Sequence, residues 1–129
     1  MENKSNEATP LRPDGDRVIN ATLVEMDLNK FMAQIKSEKI WCESEHSSIA
    51  IYKSEKMRIV LIGMHENAIL KTHQTNANIS VQVLQGTIKF TADNQTISLQ
   101  KGQMVSLQHN IPHSVTAVEE SFFLLTLAM

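Results

Sequence analysis

Cysteine is almost absent from this sequence of 129 residues: Cys42 is the only one, so no disulfide can form within the chain. The sequence also lacks an apolar run of roughly 18 residues, the length that a membrane-spanning helix needs. A basic segment followed by an apolar one, typical of a secretory leader, is not found at its N-terminus. We therefore expect a reducing, cytoplasmic location and no membrane partner.

An excess of charge of one sign is also missing. Lys and Arg number 12 against 14 Asp and Glu, which gives a net charge of −2. No basic stripe is available to neutralise phosphates, so nucleic acid is not an expected partner. The length fits one domain, since domains have about 100–200 residues, and the hydrophobic content of 42% is typical of a globular protein.

The N-terminal segment is poor in apolar side chains and holds two of the three prolines. Between Met1 and Arg17, Leu11 is the only sizeable apolar residue after the first. Such a segment buries too little to offset the entropy lost on ordering. We expect residues 1–21 to be a disordered or extended tail, and residues 22–129 to form a single domain.

One amphipathic helix is predicted over residues 28–37. Asp27 precedes it and can accept hydrogen bonds as the N-cap. No second helix is evident further along the chain. The apolar residues of the predicted helix recur at i, i+3, i+4 and i+7, namely Leu28, Phe31, Met32 and Ile35.

Beyond Trp41 the apolar period falls to two, in short runs rich in Ile, Val, Thr and Phe. Asn67 and Asn110 stand in breaks between runs, where a chain reversal needs a residue that tolerates positive φ. Many short strands at such spacing predict an antiparallel sandwich or a small barrel. The predicted strands are Ile49–Lys53, Arg58–Met64, Ile69–His73, Ile79–Leu84, Thr87–Thr91, Thr96–Leu99, Met104–Gln108, His113–Ala117 and Phe122–Leu127.

Two segments of this β-rich region resemble the two conserved motifs of the cupin superfamily. They are His73–Gly86 (HQTNANISVQVLQG) and Gly102–His113 (GQMVSLQHNIPH). With the upstream helix, Trp41 and the FFLLTLA run, the chain is similar to small single-domain bacterial cupins over about Thr22–Ala128. The resemblance implies an all-β fold, the antiparallel cupin double-stranded β-helix or jelly-roll barrel, with one short N-terminal helix. It also implies a homodimer.

The match to the first motif is incomplete at the positions that bind metal in cupins. His73 stands at the first His position and Gly86 at the closing Gly, but Thr75 replaces the second His and Ile79 the Glu. In the second motif His113 matches. Two of the four usual metal ligands are therefore present.

In a cupin barrel, His73 and His113 would project into one cavity from neighbouring strands. Strand alternation puts Gln82 on the face opposite the apolar residues of its strand. A mostly apolar pocket with a few convergent polar groups is typical of a small-molecule site. The predicted ligand-binding residues are His73, Thr75, Ile79, Val81, Val83 and His113.

A divalent metal (Fe, Mn, Ni or Zn) is a possible cofactor, with His73 and His113 as ligands. Catalytic zinc usually needs three protein ligands, and an Fe²⁺ oxygenase needs two His and a carboxylate. His109 is a weak third candidate because Asn110 and Pro112 break the helix that would align it with His113.

The remaining chemistry-bearing residues have unremarkable expected roles. His46 and His65 are expected to be solvated, although His65, His109 or Thr75 would complete the ligand set if the chain is a metalloenzyme. Cys42, next to Trp41, is expected to be a small buried hydrophobe.

Three functions stay open at this point. The first, favoured because two metal ligands are missing, is binding or sensing of a small organic ligand without a committed reaction. The second is a metal-dependent enzyme of the dioxygenase or isomerase type, and its catalytic residues are unknown. The third is a homodimeric structural or interaction module. The faces taken by Lys71 and Lys89 are also open, and a lysine inside the cavity would favour an anionic ligand.

Overall fold

The computed structural model describes the backbone of residues 4–6 and 17–129, with side chains from Val18 onward. The N-terminal elements are β1 (Lys4–Asn6), β2 (Arg17–Asn20), α1 (Leu28–Ser37) and α2 (Lys39–Glu43). The strands that follow are β3 (His46–Lys53), β4 (Met57–Met64), β5 (Ile69–His73), β6 (Asn78–Gln85), β7 (Thr87–Ala92), β8 (Gln95–Gln100), β9 (Met104–Leu107), β10 (His113–Ala117) and β11 (Ser121–Ala128).

The predicted helix is confirmed with its bounds. The Asp27 carboxylate accepts a hydrogen bond from the Lys30 backbone N–H at 3.2 Å, as an N-cap does. The helix ends where Glu38 turns extended, with φ −81° and ψ 142°. All nine predicted strands are present, and β5 and β10 begin and end at the predicted residues.

The prediction of a single helix is wrong, because α2 follows α1 directly. Its five residues make little more than one turn, too short for an apolar repeat to appear in the sequence. Neighbouring residues on a helix lie about 100° apart, so with Trp41 5% exposed, Cys42 faces solvent. The prediction that Cys42 is buried is therefore also wrong.

Two antiparallel sheets form the barrel, as the alternating pattern predicted. The five-stranded sheet has the order β3-β4-β11-β6-β9, and the four-stranded sheet has the order β5-β10-β7-β8. Between them lies the barrel core, in which Ile88, Phe90 and Phe123 are nearly or fully buried. The prediction of an all-β antiparallel barrel with a short helix is confirmed.

A second core lies on the outer face of the five-stranded sheet, under α1 and α2. Ile35 and Trp41 from the helices pack there against Leu61 of β4 and Phe122 of β11. Burial of each such side chain contributes about 1.5–3 kcal/mol. β11 therefore serves both cores, since Phe122 lies in the outer core and Phe123 in the barrel core.

Residues with positive φ mark the turns. Asn67 (φ 68°) and Asn110 (φ 61°) adopt the left-handed conformation, as predicted. Asp93 (φ 52°) and Asn94 (φ 58°) form the two-residue connection between β7 and β8. Two consecutive positive φ values are typical of a type I′ hairpin turn, which matches the twist of the strands.

The predicted tail falls largely outside the described residues. Of the part that is described, β2 pairs with β1, and Ile19 is 5% exposed. No helix in residues 17–129 is long and apolar enough to cross a membrane.

Candidate functional site: a histidine pair at the barrel mouth

Two histidines meet at one end of the barrel, which we call the barrel mouth: the end where β5 finishes at His73 and β10 starts at His113. The two residues are direct partners in the antiparallel register, so their side chains lie on the same face. Their ring centroids are 4.4 Å apart, with planes inclined by 59°. The structure therefore brings together the two histidines that the sequence motifs predicted to be neighbours.

The pair extends from the core to the solvent. His113 is 5% exposed and stacks on Phe90, with ring centroids 5.7 Å apart and planes 17° from parallel. His73 is exposed. A molecule arriving from solvent would thus reach His73 first and then the fixed ring of His113.

Backbone carbonyls orient both rings in the same way. Nδ1 of His73 donates to the Lys71 carbonyl at 3.0 Å, and Nδ1 of His113 donates to the Ile111 carbonyl at 2.9 Å. A carbonyl oxygen only accepts, so the proton lies on Nδ1 and the neutral ring keeps a lone pair on Nε2. Each Nε2 can therefore accept a hydrogen bond from a ligand or bind a metal ion.

The Thr75 hydroxyl is occupied by its own loop. It donates to the Ala77 carbonyl at 3.0 Å and accepts from the Ala77 N–H at 3.2 Å. The Thr75 carbonyl accepts from the Asn110 N–H at 2.7 Å, which ties the β5–β6 connection to the β9–β10 connection. In this structure Thr75 shapes the barrel mouth.

The three apolar residues predicted to floor the pocket lie in the barrel core. Ile79, Val81 and Val83 are exposed by 5%, 1% and 1%, respectively, and belong to the same cluster as Phe90. Gln82 pairs with Leu124, a residue of the outer core, so it takes the opposite face as predicted. The floor beneath the histidine pair is therefore packed apolar side chains.

His109 lies in the loop before β10 and is held by Asn78. Its backbone N–H and its ring Nδ1 both donate to the Asn78 Oδ1 atom, at 2.9 Å and 3.3 Å. This arrangement fixes the loop against the start of β6 and leaves the ring exposed.

His65 lies between β4 and β5, a connection at the end of β5 away from His73. Its Nε2 donates to the Trp41 carbonyl at 2.6 Å, and its ring stacks on the indole at 3.7 Å between centroids. The prediction that His65 is solvated is wrong, because α2 brings Trp41 over it. His46 is exposed, as predicted.

A resident metal does not fit the donors at the barrel mouth. Within residues 18–129, no group of three His, Cys, Asp or Glu side chains is placed to hold a metal ion. Ile79 stands at the position of the cupin carboxylate and cannot coordinate. Two imidazoles fall short of the three ligands usual for catalytic zinc and of the two His and a carboxylate used by Fe²⁺ oxygenases.

The sequence analysis considered Lys71 and Lys89 as cations of the barrel interior, but the structure places a different cation, Arg58, on the inner face. Lys89 is exposed between buried Ile88 and Phe90, so it points outward, and Lys71 is exposed. Arg58, which the sequence analysis missed, lies on the inner face at the barrel mouth. It has the same parity as Val60, Ile62 and Met64, which lie in the barrel core, whereas Ile59 and Leu61 lie in the outer core. Because β4 is apolar on both faces, its sequence did not single out the inward face of Arg58.

A depression of about 420 Å³ lies on the outer face of the five-stranded sheet, near the same end of the barrel. Ser80, Ser106 and Thr126 line it from three adjacent strands, in register. Because inner and outer faces alternate along a strand, these side chains point away from the histidine pair. Asn78, Ile79 and Leu107 also line the depression, so it borders the barrel-mouth end of β6 and β9 from the outer side.

Solved structures share this fold, although no family model and no curated protein matches the sequence. A cupin superfamily protein from Desulfitobacterium hafniense is similar with a TM-score of 0.64 and 17% identity, covering 67% of this chain and 79% of that one. A conserved Streptococcus pyogenes protein of unknown function has a TM-score of 0.67 and 22% identity, covering 85% and 90%. Salicylate 1,2-dioxygenase from Pseudoaminobacter salicylatoxidans has a TM-score of 0.69 and 15% identity, covering 77% and 31%. The chain has the cupin fold.

Proposed function

We propose that this chain, a cupin by its fold, binds a small organic ligand at the barrel mouth through His73 and His113. The observation that carries the proposal is the orientation of the two rings, which are 4.4 Å apart and each donate Nδ1–H to a carbonyl. Each ring keeps an Nε2 lone pair, and the rings are close enough for one small molecule to contact both. Paired acceptors above an apolar floor are typical of small-molecule sites.

The two histidines have different tasks in this proposal. His113 is buried against Phe90 and presents a fixed acceptor, so it sets the orientation of a ligand O–H or N–H group. His73 is exposed and closes over the ligand from the solvent side. The packed floor, which includes Ile79, keeps water away from the inner side of the ligand. The function is binding or sensing, with no reaction assigned.

Titration with small molecules, observed in the ¹H–¹³C NMR signals of the histidine rings, tests the proposal. Benzamide, phenol and 3-hydroxybenzoate are suitable probes because each joins an apolar ring to a polar group. We expect at least one to shift the signals of His73 and His113 in a saturable way. The exposed His46 provides the matched control, and its signal is expected to stay in place. If no probe shifts the pair more than His46, the proposal is wrong.

Metal content separates this function from the metal-dependent alternative. Protein purified without a metal-affinity column and then supplied with Fe²⁺, Mn²⁺, Ni²⁺ and Zn²⁺ is expected to retain well under one equivalent after dialysis, because two imidazole ligands are too few. Near-stoichiometric metal that His73→Ala and His113→Ala both remove would instead support an enzyme of the dioxygenase or isomerase type.

A further inference from the structure

Arg58 shares the inner face of the barrel mouth with the histidine pair. In the register of the five-stranded sheet, Arg58 pairs with Leu127, and Leu127 pairs with Ile79. Directly paired residues lie on one face, and both Leu127 and Ile79 belong to the barrel core. Arg58 therefore continues an inward row that begins at the floor of the proposed site.

The guanidinium of Arg58 has an unused donor. Its Nε atom is buried and has no hydrogen-bond partner among the described residues. A buried polar group without a partner is costly, and more so when it is charged. A ligand that accepts this hydrogen bond would remove that cost when it binds.

A second cation stands beside Arg58. Lys53, the last residue of β3, is its direct partner across the strands, and like charges in such a pair destabilise a sheet. The ion pairs found in residues 18–129 are Lys36 with Glu120 and Lys39 with Glu43, and neither reaches this corner. Within residues 18–129, Arg58 and Lys53 therefore have no carboxylate partner in an ion pair.

From these observations we infer that the ligand of the barrel mouth carries a carboxylate and that Arg58 is its anchor. The inference rests on the proposed function, because it names the chemistry of the ligand at the same site. Nε–H and the adjacent terminal N–H of an arginine form a planar fork that matches the two oxygens of a carboxylate. Leu127 and Ile79, next in the row, offer apolar surface to the carbon skeleton.

The experiment compares two probes of nearly the same shape, 3-hydroxybenzoate and 3-hydroxybenzamide, by the NMR shifts of the His73 and His113 rings. We expect the carboxylate to bind at least tenfold more tightly than the amide, and Arg58→Gln to remove that preference. Lys89→Gln removes a cation from the outer face of the other sheet and is the matched control, expected to leave both affinities unchanged. Arg58→Lys keeps the charge without the fork, and we expect at least a threefold loss of carboxylate affinity.

The outcomes distinguish this inference from the proposed function. Equal binding of amide and carboxylate would overturn the inference and leave the proposed function in place. Carboxylate binding that Arg58→Gln and Lys89→Gln weaken equally would also overturn it, since the effect would be one of net charge. If circular dichroism shows that Arg58→Gln does not fold, Arg58→Lys replaces it as the test, and an unchanged carboxylate affinity in that variant would overturn the inference. Inorganic phosphate at the same concentration is expected to leave both rings unshifted, and binding as tight as that of the carboxylate would refute the carboxylate assignment.

Discussion

A position can require glycine because its φ is positive or because no space exists for a Cβ atom. Gly63, Gly86 and Gly102 differ in which of these constraints applies, so alanine substitutions at the three positions measure the cost of each constraint. Gly102 has φ +86° with nothing within 4 Å of an added Cβ, so only its conformation requires glycine. Gly63 lacks a positive φ, but an added Cβ would lie 2.5 Å from Cε1 of Phe122. Gly86 combines both: φ is +86°, and an added Cβ would overlap the Glu120 carbonyl oxygen and the Ser121 Oγ atom.

The expected losses of unfolding free energy follow from these contacts. In Gly102→Ala, the left-handed conformation of an L-residue lowers the unfolding free energy by about 1–2 kcal/mol. Alanine also restricts the unfolded chain, which offsets about 0.4–1 kcal/mol of that loss. Gly63→Ala crowds a Phe122 ring that is 0% exposed, and overpacking a core costs about 1–3 kcal/mol. For Gly86→Ala we expect about 2–5 kcal/mol from both effects, because a backbone oxygen cannot rotate aside. The total unfolding free energy of a native domain is only about 5–15 kcal/mol, so each of these losses is a measurable fraction of it.

Urea unfolding followed by the fluorescence of Trp41, the only tryptophan, gives all three values on one scale. We expect the order Gly102→Ala, Gly63→Ala, Gly86→Ala, from least to most destabilised, with an unchanged slope against urea. If Gly86→Ala is no more destabilised than Gly102→Ala, the contacts with Glu120 and Ser121 do not constrain that position and the reasoning is refuted.

Two further predictions concern polar contacts that join distant parts of the chain. Ser121 Oγ accepts from the Thr87 N–H and is 0% exposed, so Ser121→Ala should lower the unfolding free energy by about 1–3 kcal/mol through the orphaned donor. A loss below 0.5 kcal/mol in the same urea assay would show that the N–H finds another partner. His65 covers the Trp41 indole at 3.7 Å, so His65→Ala should move the emission of Trp41 to longer wavelength. The exposed His46→Ala is the control, and an unmoved emission maximum in His65→Ala would contradict the stacked geometry.

The parts of the fold that were predictable are those with local causes. The spacing of Leu28, Phe31, Met32 and Ile35 and the Asp27 carboxylate act within one helix, and both were confirmed in α1. The period of two acts within one strand, so the strands were found with small errors at their ends. Asn67 and Asn110 owe their left-handed backbone to their own short side chains.

The errors involve packing between distant segments. α2 has no repeat of its own, and Trp41 is held there by Leu61 and Phe122, which lie in strands far along the chain. The contact of His65 with Trp41 follows from the same packing. No pattern around Cys42 or His65 contains that information.

The candidate site also has some features that were predictable from the sequence and others that depend on contacts between distant segments. The resemblance of two sequence segments to the cupin motifs was enough to predict that His73 and His113 lie close together. The contact between the two rings, the occupation of the Thr75 hydroxyl by its own loop and the position of Arg58 at the barrel mouth became evident only from the fold. The cause is register, since which side chains share a face of a sheet depends on hydrogen bonds between strands that are distant in the chain. A shift of one residue between β4 and β11 would turn Arg58 to the other face, and the sequence of β4 alone does not specify that pairing.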